Sequence, residues 1–161
     1  MLSFKEYINE IKFRFSDSIE NTPEVKTNNL IFNLCGKQIE FKPENEVKEN
    51  GDIYFTWKEA LALQKNNWRL PTKEEFKALL EKEYMFGHGK GIFDSRLILP
   101  AAGGRNCDGF VNGVGSGGYY WSSTPYSSES TWGLGFYSGG VYMYYSNRCD
   151  GQSVRLVRDV K

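Results

Sequence analysis

The sequence predicts an α+β fold in which short helices come first and a glycine-rich, strand-rich half follows. Three observations carry this. Two capping boxes, Thr56-x-x-Glu59 and Thr72-x-x-Glu75, each open a short run with helical apolar spacing. From Tyr84 onward glycine becomes dense, and between Pro100 and Asn147 the only charged residues are Arg105, Asp108 and Glu129. Near the end, Trp132, Leu134 and Phe136 alternate with Gly133, Gly135 and Tyr137. After Ser138-Gly139, Val141 and Met143 alternate with Tyr142 and Tyr144. Period-2 alternation about a turn signal is the pattern of a β-hairpin with one buried face.

The elements follow in order. Ser3-x-x-Glu6 is a further capping box, and Tyr7, Ile8, Ile11 and Phe15 mark a short amphipathic helix. It reads as a helix packed on the domain in preference to an attachment element. Asn29 to Leu34 and Gln38 to Phe41 flank Cys35-Gly36 as a hairpin, Lys42 to Asp52 is a charged loop, and Ile53 to Phe55 is a short strand. The Thr56 helix turns Trp57, Ala60 and Leu61 inward. The Thr72 helix buries Phe76, Leu79 and Leu80, and Pro71 holds Leu70 extended. Arg96 to Leu99 and Tyr120 to Ser123 read as strands, and Gly103 to Gly118 as a long loop. Pro125 to Ser130 is a turn, and Ser153 to Val157 a closing strand with Val154 and Leu156 on one face.

At 161 residues one domain with a single good core is expected. A formal net charge of zero and a pI near 6.6 give no footprint for nucleic acid or another polyanion. Cys35, Cys107 and Cys149 are odd in number and form no C-x-x-C, so they suggest neither a disulfide framework nor a zinc site, with a Cys107–Cys149 bond left open. The N-terminus has no apolar signal-peptide core and no stretch is long enough to span a membrane. The expectation is a soluble chain without membrane insertion, made in a reducing cytoplasm and able to leave by lysis as part of a virus particle.

The outward side of the last hairpin departs from an ordinary solvent face. It uses Gly, Tyr, Ser, Asn, Cys and Asp in place of Lys, Glu and Thr, and seven of the ten tyrosines fall between Tyr119 and Tyr145. Tyr, Ser, Gly and Asn are the residues of binding paratopes, because tyrosine supplies contact area at low rotamer cost.

Two segments carry a family resemblance. Trp68 to Phe76 (WRLPTKEEF) resembles the tryptophan-arginine-leucine-proline-threonine motif of the C-type lectin fold in its formylglycine-generating-enzyme-like branch. Tyr120 to Thr124 (YWSST), the Trp132/Leu134/Phe136 strand and Ser153 to Arg158 (SVRLVR) resemble the end of the same domains. Within that branch the chain is most similar to the variable proteins of diversity-generating retroelements. The resemblance implies a C-type-lectin-like fold with two helices, a small antiparallel sheet and long glycine-rich loops. It implies a ligand-binding domain over residues 51–161, with a variable region at about 105–152. Residues 1–50 form an N-terminal helix and hairpin packed on or extending it.

In such proteins a template asparagine codon AAC, varied at its adenines, becomes NNC. NNC encodes Asn, Asp, Tyr, Ser, Gly, Cys and Phe among others, but not Lys, Glu, Gln, Met or Trp. Gly133, Gly135, Tyr137, Gly140, Tyr142, Tyr144, Tyr145, Asn147, Cys149 and Asp150 are read as outward, and all belong to that set. So does a second cluster, Cys107, Asp108, Phe110, Asn112 and Tyr119, whereas Trp132 and Met143 sit on the inward register. These fifteen positions are the candidate ligand-binding residues. On this reading Gly133 and Gly135 have ordinary strand dihedrals and accept side chains, while Gly139 in the turn needs a special conformation. Trp121 and Trp132 are core, and Tyr142 and Tyr144 are surface.

Rival chemistries are weaker. An oxidase of the formylglycine-generating kind would need a reactive, copper-binding cysteine pair, and Cys107 and Cys149 are the only candidates. Calcium-dependent sugar binding needs clustered oxygen ligands, and Pro43-Glu44-Asn45 only echoes the lectin motif. His88 is the single histidine and reads as a loop residue. Glu74 and Glu75 complement a helix N-terminus. Arg155 and Arg158 read as solvated charges on the closing strand. The expectation is recognition of a protein or glycan on another cell or particle, without catalysis, cofactor or metal; a plain structural module with a fixed partner is the third reading.

Overall fold

The computed structural model describes residues 30–161. The Ser3 capping box and its amphipathic helix lie outside the described residues. Among the described residues the fold is α+β and dominated by strands: two short helices and three sheets surround two cores.

The N-terminal hairpin forms as read. β1 (Ile31–Leu34) pairs antiparallel with β2 (Lys37–Phe41) across Cys35 and Gly36, both at positive φ (54° and 74°), as a tight two-residue turn requires. Both capping boxes are present. Thr56 caps α1 (Trp57–Ala62), Thr72 caps α2 (Lys73–Leu80), and each threonine exchanges side-chain and backbone hydrogen bonds with the glutamate three residues on. Ile53 to Phe55 makes only an isolated bridge, Phe55 with Gln152.

The second half holds more strand than its composition suggested. β3 (Tyr84–Gly87), β4 (Lys90–Phe93) and β5 (Leu97–Pro100) form one antiparallel sheet, with His88 in the β3–β4 turn. The stretch expected to be a long loop contains β6 (Ala102–Arg105), β7 (Val111–Val114) and the start of β8 (Gly117–Pro125). β9 (Ser130–Tyr137) and β10 (Gly140–Asn147) are the anticipated hairpin. The order β10-β9-β8-β6-β7 makes one five-stranded sheet, mixed and not purely antiparallel, since β6 runs parallel to β8. Residues 153–156 are buried but not a strand, and the closing strand is β11 (Val157–Asp159), which pairs with β2.

The main core gathers all three sheets and α2. Leu34, Ile39, Phe76, Phe93, Leu134 and Phe136 are among its fully enclosed members. The smaller core joins Phe55, Ala60, Leu70, Trp121, Val154 and Leu156. Strand register decides which side of the five-stranded sheet each core occupies. Leu134 pairs with Tyr120 and Met143 on the main-core side. Gly133 pairs with Trp121 and Tyr144 on the other, where Trp121 supplies the smaller core. One half of that second side is therefore scaffold and the other half is open.

The WRLPT segment is a structural lock. Trp68 is half-buried beneath Arg158 and Lys42, and Leu70 is core. Pro71 accepts a backbone bond from Ser123. Arg69 exchanges both backbone bonds with Val157 and grips Glu75 bidentately at 2.7 and 2.8 Å. Glu75 thus does more than complement a helix terminus. Arg155, expected in solvent, is buried and donates to Asn45 and to the carbonyls of Lys42 and Ile98.

Candidate ligand-binding face

The open half of the sheet is built on small residues. Gly133 and Gly135 leave shallow space on β9, and tyrosines from three strands lie over it. Tyr144 and Tyr142 cross Gly133 and Gly135 from β10, and Tyr119 stands beside them on β8. Edge-to-face contacts chain the rings: Tyr119–Tyr144 at 5.5 Å, Tyr144–Tyr142 at 6.0 Å and Tyr142–Tyr137 at 6.1 Å. Tyr137 and Tyr142 are exposed. Burial, then the neighbouring Tyr119 hydroxyl, push the Tyr142 phenol up to about 12.

Tyr144 behaves differently. Its ring is half-buried, and its hydroxyl donates to Gln152, which in turn donates to Ser146 Oγ at 2.5 Å. Burial and the nearby Tyr142, Tyr119 and Asp150 push its phenol far above the ordinary value. It joins the exposed face to the scaffold and is not a free surface residue.

The second cluster arrives from the β6–β7 hairpin. Asn106 shapes the tip: its side-chain oxygen accepts from the backbone of Asp108 and Phe110. Phe110 is 70% exposed. Cys107 is disulfide-bonded to Cys149 in the turn after β10, with Cα atoms 5.1 Å apart. The cysteine count, an odd three, gave no disulfide framework because it cannot show which pair meets; Cys35 stays free in the β1–β2 turn. Arg105 and Gly151 exchange backbone bonds of 2.8 and 2.6 Å beside the bridge. Between the tip and the tyrosines lies a hollow of about 230 Å³, lined by Asn112, Tyr119, Tyr144 and Asp150 from the anticipated set. Arg105, Asn106, Ser146 and Gln152 line it too and were missed. Ser146 shares the Tyr142/Tyr144 register and could have been found by extending the alternation; nothing in the sequence marks Gln152.

Two anticipated residues lie elsewhere. Tyr145 and Asn147 fall on the Trp132 register of the hairpin, because Tyr145 pairs with Trp132 and Asn147 with Ser130. A period of two cannot place Tyr144 and Tyr145 on one face. Tyr145 instead stacks on Tyr126 at 3.8 Å, with Trp132 edge-on at 5.6 Å and Lys73 over the Trp132 ring. Trp132 is accordingly half-buried, not core.

Gly133 and Gly135 have no positive φ, as expected, but both are enclosed. A Cβ on Gly133 would stand 2.7 Å from the Tyr120 carbonyl oxygen, and one on Gly135 would stand 2.7 Å from the Tyr142 ring. The turn position in the left-handed half of the map is Gly140 (φ 148°), not Gly139.

A larger hollow of about 630 Å³ lies by Trp68, Arg69, Arg158 and Asp159. Its arginines are engaged in Arg69–Glu75, Arg69–Asp159 and Arg158–Glu40 pairs, and none of the fifteen candidate residues lines it.

No curated protein and no solved structure matches the chain. The family model of the Lcl C-terminal domain matches residues 27–158, which takes in both cores, the lock at Arg69 and the whole tyrosine face. The chain belongs to the Lcl C-terminal domain family, the C-terminal domain of diversity-generating-retroelement variable proteins.

Proposed function

We propose that this chain is a ligand-recognition domain of C-type-lectin-like architecture that catalyses nothing. Its open face is rewritten by retroelement copying, and its ligand is a protein or glycan carried by another cell or particle. The observation that carries this reading is convergence. Positions of NNC type from separate segments, Asn112, Tyr119, Tyr137, Tyr142, Tyr144 and Asp150, share one side of the sheet or the hollow at its edge. The positions beneath them, Leu134 and Phe136, are sealed in the main core. Such a division lets the face change while the fold persists. Against oxidase chemistry, the Cys107–Cys149 bond withholds both thiolates from a metal or substrate in this state.

Sequencing this gene across many members of one population tests the reading. Substitutions should concentrate at Asn112, Tyr119, Tyr137 and Tyr142 and spare Leu134, Phe136 and Trp121. Variation spread evenly over face and core, or absent from the face, would overturn it.

A further inference from the structure

We infer that the hollow beside the disulfide receives a basic side chain, arginine or lysine, of a protein ligand. The inference rests on the ligand-face reading and gives that face a chemistry. Asp150 carries it. Its side chain lines the hollow and is partly enclosed, and among the described residues no cation pairs with it. The one other charged group lining the hollow, Arg105, is committed to Asp52 by contacts of 3.0 and 3.3 Å. Asp150 is therefore the one charged side chain lining the hollow without an opposite charge paired to it.

The walls suit a cation too. Tyr119 and Tyr144 present aromatic surface to it, and a cation over a ring gains from the ring quadrupole. Gln152 is held in place by Tyr144 and Ser146, and its free amide-oxygen lone pair can only favour a donor cation. About 230 Å³ is room for the end of an arginine or lysine side chain. Asp150 sits against the disulfide: Cys107 Sγ, which has no proton to donate, lies 3.2 Å from Asp150 Oδ1.

The test titrates the intact chain with N-acetyl-L-arginine amide, following the tyrosine ring resonances by NMR. N-acetyl-L-citrulline amide, its neutral isostere, and methyl α-D-glucopyranoside serve as comparisons. The arginine probe should shift Tyr119 and Tyr144 saturably and bind at least about fivefold tighter than the citrulline probe. Asp150→Asn should abolish that preference while leaving the fold intact by circular dichroism, and added salt should weaken it. Equal binding of the two amides, sugar binding without arginine binding, or no saturable shift would each overturn the inference. Population sequencing with variation confined to the face would leave the recognition function standing in those cases, so the two failures are distinct.

Discussion

The hydroxyl of Tyr144 donates a hydrogen bond to the side-chain carbonyl of Gln152. Gln152 is 4% exposed and exchanges both backbone bonds with Phe55, a member of the smaller core. A residue on the candidate face is thereby attached to the scaffold, and its neighbour Tyr142 is not.

Tyr144→Ser and Tyr142→Ser should therefore separate. Tyr144→Ser strands the buried Gln152 oxygen and opens space above Gly133, costing about 1–3 kcal/mol. Tyr142→Ser removes a ring that is 37% exposed and should cost less than about 1 kcal/mol. Denaturant unfolding of the two variants decides it; equal losses would mean that Tyr144 is no more structural than Tyr142.

This division shows where the sequence was legible. Alternation placed Leu134, Phe136, Tyr137 and Tyr142 on their sides, because a strand has a fixed period and the hairpin is regular. The capping boxes at Thr56 and Thr72 were readable because three-residue spacing is local chemistry. The run from Gly103 to Gly118 was not, since glycine carries no hydrophobic pattern and β6 is held by backbone pairing and close approach. The hollow joins Asn112 to Asp150, and its partners Gln152 and Arg105 are set by tertiary packing that no local pattern records.

The Arg69–Glu75 pair gives a pH prediction. Burial opposes ionisation of Glu75, but the Arg69 guanidinium and the Thr72 N–H outweigh it and hold the carboxyl below its ordinary value. A depressed folded value means stability that is complete above the unfolded glutamate pKa of about 4.3 and lost as pH falls through the folded value. Glu75→Gln should cost about 1.5–3 kcal/mol at neutral pH. The gap in melting temperature between wild type and variant should narrow as pH falls below about 4.3. A gap that widens on acidification would show that the pair is not what ties the WRLPT segment to α2.

Glycines beneath the face should rank by what a methyl group would strike. At Gly118 it would lie 2.1 Å from the enclosed Phe136 ring, which has nowhere to go. At Gly133 it meets a backbone carbonyl, and at Gly135 only the movable Tyr142 ring. The expected order of destabilisation is Gly118→Ala, then Gly133→Ala, then Gly135→Ala. Overpacking of this kind costs about 1–3 kcal/mol or more at the rigid sites. Thermal melts showing Gly135→Ala as damaging as Gly118→Ala would mean that the Tyr142 ring is fixed, and the face less adaptable than its architecture implies.

The disulfide should hold the face more than the fold. Cys107 and Cys149 are both exposed and belong to neither core. The Arg105–Gly151 backbone pair and the Asn106 side chain already define the two segments that they join. A double variant, Cys107→Ser with Cys149→Ser, should fold, losing about 2–4 kcal/mol or less as a released cross-link. Amide exchange reports where the loss falls. It should quicken in residues 106–110 and 147–150 and stay slow in Trp121, Leu134 and Phe136, where the sheet backs onto the cores. Exchange that rises uniformly through β8 and β9 would make the bridge a global staple. In that event a variant that draws other residues at 107 and 149 would lose its fold along with its cysteines, and the separation of a changeable face from a fixed scaffold would fail at that point.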